Sequence, residues 1–534
     1  MVQKPPPISI KHWFNQMLLP NLLNPTPTSH HEVLVQLQQR LDALLKTGEY
    51  TPFVYPYRAF GPNLLILYLL IPPTKAKSIH YLRYPLSALI TYLSVSAIRE
   101  CRSSMVTVGY GIGLLNAWAV LWTASLIIFN DARADFRRLE EHSRTSSDGD
   151  AQGTATGAGD TSAEGLRKRH ADRLINGTSN PKYQQDSSKS VQYCWQPLPP
   201  TFRHRLDWVL DLVSNFRGTR WNYQITSLPP PPSHIQKFLS NPSLPPPNAE
   251  SQLTRRDLLR RDLPNFILCI FALDVLKTLT LQDPYYWGLP PSTPSPFSYP
   301  TATRLLLSVT FVYSSLLTIY LLAPLIFGVL LGPEIIGQHA WPWLYAPYFG
   351  PPSQVWEKGI AGLWGGWWHQ LFRYAFEQAG EFAGRVIGWE KTSQRGMMFR
   401  VIVAFACSGL LHASASYASL GHTRPIRGAF TFFMLQPVGI IAQKAVTGWM
   451  KSLGLREKMP LWLRHAGNLA AVVGWCFLTG PNIADDFAAT GIWLYEPLPI
   501  SPLRGLRGEG WWCWGGDWVR WHTAERWWRS GLAF

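Results

Sequence analysis

Met397-Met398-Phe399-Arg400-Val401-Ile402-Val403-Ala404-Phe405-Ala406-Cys407-Ser408-Gly409-Leu410-Leu411-His412-Ala413-Ser414-Ala415-Ser416 is a nearly unbroken apolar run, and its reading decides the fold. A helix needs about 20 mostly apolar residues to cross a bilayer. One ionisable side chain, His412, stands well inside the run. Such a group at that depth costs on the order of a few kcal/mol, so it faces a polar cavity or a partner. Ser408 and Ser416 lie one turn to either side of it. Gly409 precedes it by three residues and Ser419 follows by seven, so a small, polar face accompanies the imidazole. Histidine has the side-chain pKa nearest physiological pH, which suits it to moving protons. A histidine simply packed and bonded to a neighbouring helix would read the same way from this run alone.

Working outward, the composition has a membrane character. Charged residues make up only 15% of the 534 positions, against roughly 25% in ordinary globular proteins. Aromatics reach 13%, with 25 Trp, an excess expected where a protein meets the membrane-water interface. The mean hydropathy of −0.04 is low for such a protein because hydrophilic insertions and proline tracts dilute the apolar blocks. The net charge of +16 comes with no basic stripe on a recognisable nucleic-acid fold. The cations cluster in loops between apolar segments, so membrane lipids are the expected partner and nucleic acid is not. Six scattered cysteines form no C-x-x-C pair, which argues against a disulfide framework and a structural zinc site. No metal site is expected. The opening Met1-Val2-Gln3-Lys4-Pro5-Pro6-Pro7 lacks the apolar core of a cleaved signal peptide.

Five regions succeed one another along the chain. Residues 1–50 form an N-terminal segment whose Ser29-His30-His31-Glu32 capping pattern opens an amphipathic helix with Val33, Leu37, Leu41, Leu44 and Leu45 at helical spacing. Residues 51–130 hold N-terminal transmembrane helices, at 62–72, 81–98 and 106–129. Residues 131–205 read as a disordered polar loop: 143–190 is dominated by Ser, Thr, Gly, Asp and Arg and includes the sequon Asn176-Gly177-Thr178. Residues 206–490 carry proline-rich stretches at 228–233 and 242–247. Further spans lie at 263–281, 303–332, 397–420, 428–449 and 466–490. Pro324 should kink or divide its helix. Asp274 and Lys277 are spaced to pair on one helix face. Residues 491–534 form a Trp/Arg-rich interfacial tail. The fold class is all-α, a polytopic integral membrane protein with about eight transmembrane helices.

A second polar cluster precedes the histidine run: Leu363-Trp364-Gly365-Gly366-Trp367-Trp368-His369-Gln370-Leu371-Phe372-Arg373. An interfacial helix with a tryptophan belt would look similar. A Trp-His-Gln-x-x-Arg block followed, about forty residues on, by Ser-Gly-x-x-His in an apolar helix resembles the wax synthase-like branch of the membrane-bound O-acyltransferases. The fungal members that acylate terpenoids and other secondary metabolites are the nearest match. Asn215-Phe216-Arg217-Gly218-Thr219-Arg220-Trp221 is similar to the family's Arg-Gly-x-Gly-Trp block. Trp341-Pro342-Trp343-Leu344-Tyr345-Ala346-Pro347-Tyr348-Phe349-Gly350 resembles its approach to the His-Gln motif. Phe432-Phe433-Met434-Leu435-Gln436 resembles the stretch after the membrane histidine. Arg220 stands where the family pattern has Gly, and Gln443 where Glu is expected.

The resemblance implies that 206–490 is the acyltransferase core, with its helices surrounding a polar tunnel. It implies that His412 is the base that takes the hydroxyl proton and that His369 is the second catalytic polar group. Gln370, Arg373, Trp368, Ser408, Arg217 and Arg220 are then the substrate-binding candidates, with the three arginines facing the CoA phosphates. The expected substrates are acyl-CoA, acetyl-CoA in the fungal branch, and a lipophilic alcohol such as a terpenoid or meroterpenoid. No bound cofactor is expected, and the setting is the endoplasmic reticulum membrane. Attack on the thioester should be direct, because no activated Ser or Cys stands out. A long-chain wax ester synthase is the alternative within this class. A transporter using His412 with Asp274 and Lys277 as a proton relay predicts paired repeats that the sequence does not display. A structural membrane anchor leaves both histidines without a role.

Overall fold

The computed structural model describes residues 27–73, 76–145, 189–240, 253–390, 392–515 and 519–534. The N-terminal heptapeptide, the 176–178 sequon and the 242–247 proline tract lie outside these. The described residues divide into a principal unit, drawn from 1–137, 197–229 and 253–534, and a small unit drawn from 138–196 and 230–252.

The principal unit is a helical membrane assembly. Five of its helices are long and apolar enough to span a bilayer: Val106–Ile128, Arg255–Thr280, Pro300–Ala340, Gln394–Ala418 and Ile426–Ser452. Eight were expected, and that number is not reached among the described residues. The 62–72 segment becomes a ten-residue helix, Phe60–Leu69, too short to cross at about 1.5 Å per residue. The Lys77–Glu100 and Leu461–Thr490 helices have the length. Each is diluted by ionisable residues, among them Arg83 and Arg99 in the first and Arg464, Asp485 and Asp486 in the second. Pro324 divides its helix as expected: the α-helical part ends at Ala323 and a π-helical stretch, Pro324–Leu331, comes next.

The N-terminal amphipathic helix is His30–Lys46, capped by Ser29, whose side chain accepts from the Glu32 N–H. Its Val33, Leu37 and Leu41 pack with Val106, Leu289, Leu420 and Leu494, so its apolar face meets protein rather than lipid. The largest core cluster joins Trp118, Trp122 and Leu126 to Trp208, Trp221, Tyr223 and Tyr374. In the C-terminal tail, strand Gly531–Ala533 pairs antiparallel with Val54–Tyr55 and with Arg520–His522. Trp512, Trp521 and Trp527 remain exposed.

Asp274 and Lys277 do not pair with each other. Lys277 Nζ donates to the carbonyls of Trp493 (2.6 Å) and Tyr495 (3.1 Å). Asp274 accepts from the Ser501 hydroxyl and the Leu503 N–H. A buried ion that meets several donors or acceptors from another segment is better satisfied than one left to a single helix neighbour, and both residues therefore pin the tail.

In the small unit, Arg138–Thr145 pairs antiparallel with Lys189–Gln196, Leu139 opposite Trp195. The polar loop expected over 131–205 is thus cut back at both ends. The alternating aromatics Tyr193 and Trp195 supply strand propensity that overall composition concealed, and Phe202–Ser214 is already a helix of the principal unit. Residues 146–188 lie outside the described set.

Candidate active site

The Gln394–Ala418 helix carries His412 on its inward side. Val401, Ile402 and Leu410 are exposed on the other face, while Gly409, Ala415 and Ser416 are buried. The imidazole stacks on Phe433, centroids 4.8 Å apart at 16°. Its Nδ1 lies 2.7 Å from the Tyr110 hydroxyl. Nε2 has no hydrogen-bond partner among the described residues.

The helix bearing Tyr110, Val106–Thr123, crosses the histidine helix at very close range. A Cβ on Gly113 would collide with the Ser414 carbonyl, and one on Gly109 would lie 3.6–3.9 Å from backbone atoms including Ala418 O and Ser419 Cα. Small residues at a four-residue interval allow helix backbones to approach in this way. Sequence reasoning missed Tyr110. The Gly109–Gly113 interval around it was the available signal.

One turn beyond His412, the Ser416 hydroxyl donates to Asp486 Oδ1 at 3.0 Å, which also accepts the Arg424 N–H at 2.7 Å. Asp486 Oδ2 is buried and unpartnered among the described residues. Asp486 too went unforeseen.

His369 is placed by irregular chain. A π-helical turn, Leu363–Trp367, ends at Trp368, and Gln370 braces it. The Gln370 Nε2 donates to the carbonyls of Trp364 (2.9 Å) and Trp368 (2.5 Å), and its Oε1 accepts from Arg373 at 3.0 Å. Arg373 also bonds the Gly365 carbonyl (3.1 Å) and Glu377 (2.7 Å). Gly350 presses against the Gly366 carbonyl, a contact no side chain would permit. Gln443, the position where Glu was expected, receives the Ile360 N–H at 2.8 Å and holds the entry to this turn.

The His369 ring lies among Tyr320, Phe349, Trp368 and Phe372. Its Nδ1 is buried without a hydrogen-bond partner among the described residues. Between the two histidines, Trp364 meets Phe433, the ring beneath His412.

Arg217 and Arg220 stand on the wall of a cavity of about 660 Å³, with Tyr320, Tyr348, Phe349 and Trp367. Tyr320 and Phe349 touch both this cavity and the His369 ring. Neither histidine lines it, and Arg373 does not either. Arg217 is buried, stacked 3.7 Å above Tyr348, and donates to the Ala346 and Pro347 carbonyls. Arg220 pairs with Asp211 at 3.1 Å. Its φ of +63° is the sole positive value at a non-glycine among the described residues, which costs roughly 1–2 kcal/mol. The turn itself calls for the glycine that the family pattern carries there. Ser408 is half-buried one turn before His412. The structure thus gathers Trp368, His369, Gln370 and Arg373 in one turn, Ser408 and His412 on one helix, and Arg217 and Arg220 at the adjoining cavity.

Comparison with known proteins picks out the same stretch of chain. Residues 345–435, which include both histidines, match the family model described as membrane bound O-acyl transferase family. The acetyltransferase ataH of Aspergillus terreus is 29% identical over 28% of this chain and 46% of its own length. The acetyltransferase pyr8 of Aspergillus fumigatus is 31% identical over 23% of this chain and 29% of its own. The O-mevalon transferase yanI of Aspergillus niger is 25% identical over 64% of this chain and 73% of its own. The chain spans less than half the length of the first two relatives. No solved structure matches it. The segment that holds both imidazoles is thus the part of this chain that is similar to the membrane bound O-acyl transferase family.

Proposed function

We propose that this protein transfers an acyl group, acetyl in the first instance, from acyl-CoA to a hydroxyl of a lipophilic secondary metabolite such as a terpenoid or meroterpenoid. The setting proposed is the endoplasmic reticulum membrane. The observation that carries the reading is the pair of imidazoles at the family-matched segment, each with one ring nitrogen left without a protein partner among the described residues.

An alcohol is a poor nucleophile until its proton is taken up. His412 receives that proton as the oxygen attacks the thioester carbonyl. The C–O bond forms, the C–S bond breaks, and the proton passes on to the departing thiolate. General-base help of this kind is worth about 10²–10⁴-fold. His369 Nδ1 is available to donate to the carbonyl oxygen as negative charge grows there. Trp368, Gln370 and Arg373 hold the turn that presents it, and Ser408 extends the polar face beside His412. Arg217 and Arg220 put positive charge on the wall where the donor's phosphates would approach. A passage joining that cavity to His412 belongs to this proposal.

Microsomes from a host expressing the chain, given labelled acetyl-CoA and a lipophilic metabolite extract, should form a labelled ester. His412→Ala should abolish it without reducing membrane insertion, and wild-type labelling by that variant sinks the assignment. The names of the relatives specify both acetyl and mevalon transfer. Labelled long-chain acyl-CoA with a fatty alcohol is therefore run in parallel, and a product only there would indicate wax ester synthesis.

A further inference from the structure

We propose that Tyr110 is the positioning residue of the His412 base: its phenol oxygen accepts the imidazole Nδ1–H, which leaves Nε2 as the nitrogen that takes the alcohol's proton. This rests on the acyl-transfer reading above.

A neutral imidazole carries one N–H, and its other nitrogen is the base; the partner of the first sets the tautomer. The Tyr110 oxygen lies 2.7 Å from Nδ1. If the phenol donated instead, Nε2 would hold the hydrogen and could accept no proton. Base catalysis by His412 and acceptance by Tyr110 are therefore one requirement.

The pairing is built into the helix crossing. Gly109 and Gly113 bring the backbones together on either side of Tyr110, against 418–419 and 414–415. The tyrosine ring is held edge-on by Phe487 at 5.5 Å, and the imidazole is held flat by Phe433. Neither ring can turn away without disturbing a packed neighbour. Other titratable groups face the pair from two further elements. His369 follows the Leu363–Trp367 turn, and Asp486, from the Leu461–Thr490 helix, spends Oδ1 on Ser416 and the Arg424 N–H. The group on Nδ1 is thus a neutral phenol, where many hydrolytic triads have a carboxylate.

In the reaction the alcohol's hydrogen goes to Nε2 while its oxygen bonds the acyl carbon. The imidazolium keeps Nδ1–H on the phenol oxygen. As the C–S bond breaks, Nε2–H returns the proton to the thiolate, giving free CoA thiol and neutral His412. Nothing is oxidised or reduced.

The test compares Tyr110→Phe, Tyr110→Gln and His412→Ala, using labelled acetyl-CoA and the extract fraction that serves as acceptor for the wild type. Tyr110→Phe keeps the ring that packs on Phe487. Its kcat should fall about ten- to a hundredfold, with the KM for acetyl-CoA unchanged. The acid limb of its pH–rate profile should move to lower pH, because the phenol no longer steadies the imidazolium. Tyr110→Gln, which keeps an acceptor oxygen, should retain several times more activity than Tyr110→Phe. A Phe variant with wild-type kcat, a lowered kcat on an unmoved acid limb, or a Gln variant no better than Phe overturns the role. Full activity in His412→Ala would instead remove the base itself and is read separately.

Discussion

The two imidazoles are held in opposite ways. His412 rides a regular helix, and its position follows from where that helix crosses Val106–Thr123. His369 lies just past a π-helical turn, on irregular chain whose neighbouring carbonyls are gathered by Gln370 and Arg373. A regular helix satisfies its own backbone and needs only a close neighbour. A turn at comparable depth must borrow side chains for the same purpose, because unpaired backbone groups away from water are costly. Rigidity at one site comes from a crossing without side chains, and at the other from a hydrogen-bonded brace.

Three substitutions bear on this contrast. His369→Ala should reduce acyl transfer about a hundredfold, the loss expected when one donor to a developing oxyanion is removed. Because the ring packs among Tyr320, Phe349, Trp368 and Phe372, the variant should also melt at a lower temperature, and the rate is compared per folded molecule; a rate within threefold of wild type would deny His369 a part in the chemistry. Gly113→Ala should force the two helices apart at Ser414. Overpacking of this kind costs about 1–3 kcal/mol, and ester formation should drop about as far as in Tyr110→Phe, since the same hydrogen bond is stretched. Unchanged melting and activity would show that the crossing does not set the geometry. Gln370→Ala should have the smallest effect on the rate per folded molecule. It strips the Trp364 and Trp368 carbonyls of their donor at about 1–3 kcal/mol, so a lower unfolding temperature in detergent is the expected readout. A variant as stable as wild type would mean that the turn holds itself.

The sequence was legible wherever a property is carried by contiguous residues. The length of the 397–416 apolar run announces a spanning helix, and the small residues around His412 announce its inward face. The division at Pro324 and the amphipathic helix capped at Ser29 were readable for the same reason. Where partners come from distant chain, reading stopped. Tyr110 lies in a helix that is apolar on nearly every side, so periodicity gives no hint of which face meets His412. Asp274 and Lys277 have the spacing of a pair, yet each finds its acceptors or donors in 493–503. The count of about eight spans is not confirmed: five helices meet the length and apolarity of a crossing among the described residues, and the other expected stretches are short or interrupted by ionisable residues. The family motifs located the His369 turn, but not the brace that Gln370 and Arg373 form within it.

The crossing at Gly113 also sets a boundary for engineering. Residues 345–435 are the stretch that the family model matches, and a chimera receiving only that stretch would carry both imidazoles while leaving behind the phenol bonded to one of them. Transplanting the bonded pair therefore calls for a second graft, the stretch from Gly109 to Gly113, which lies far upstream in the polypeptide.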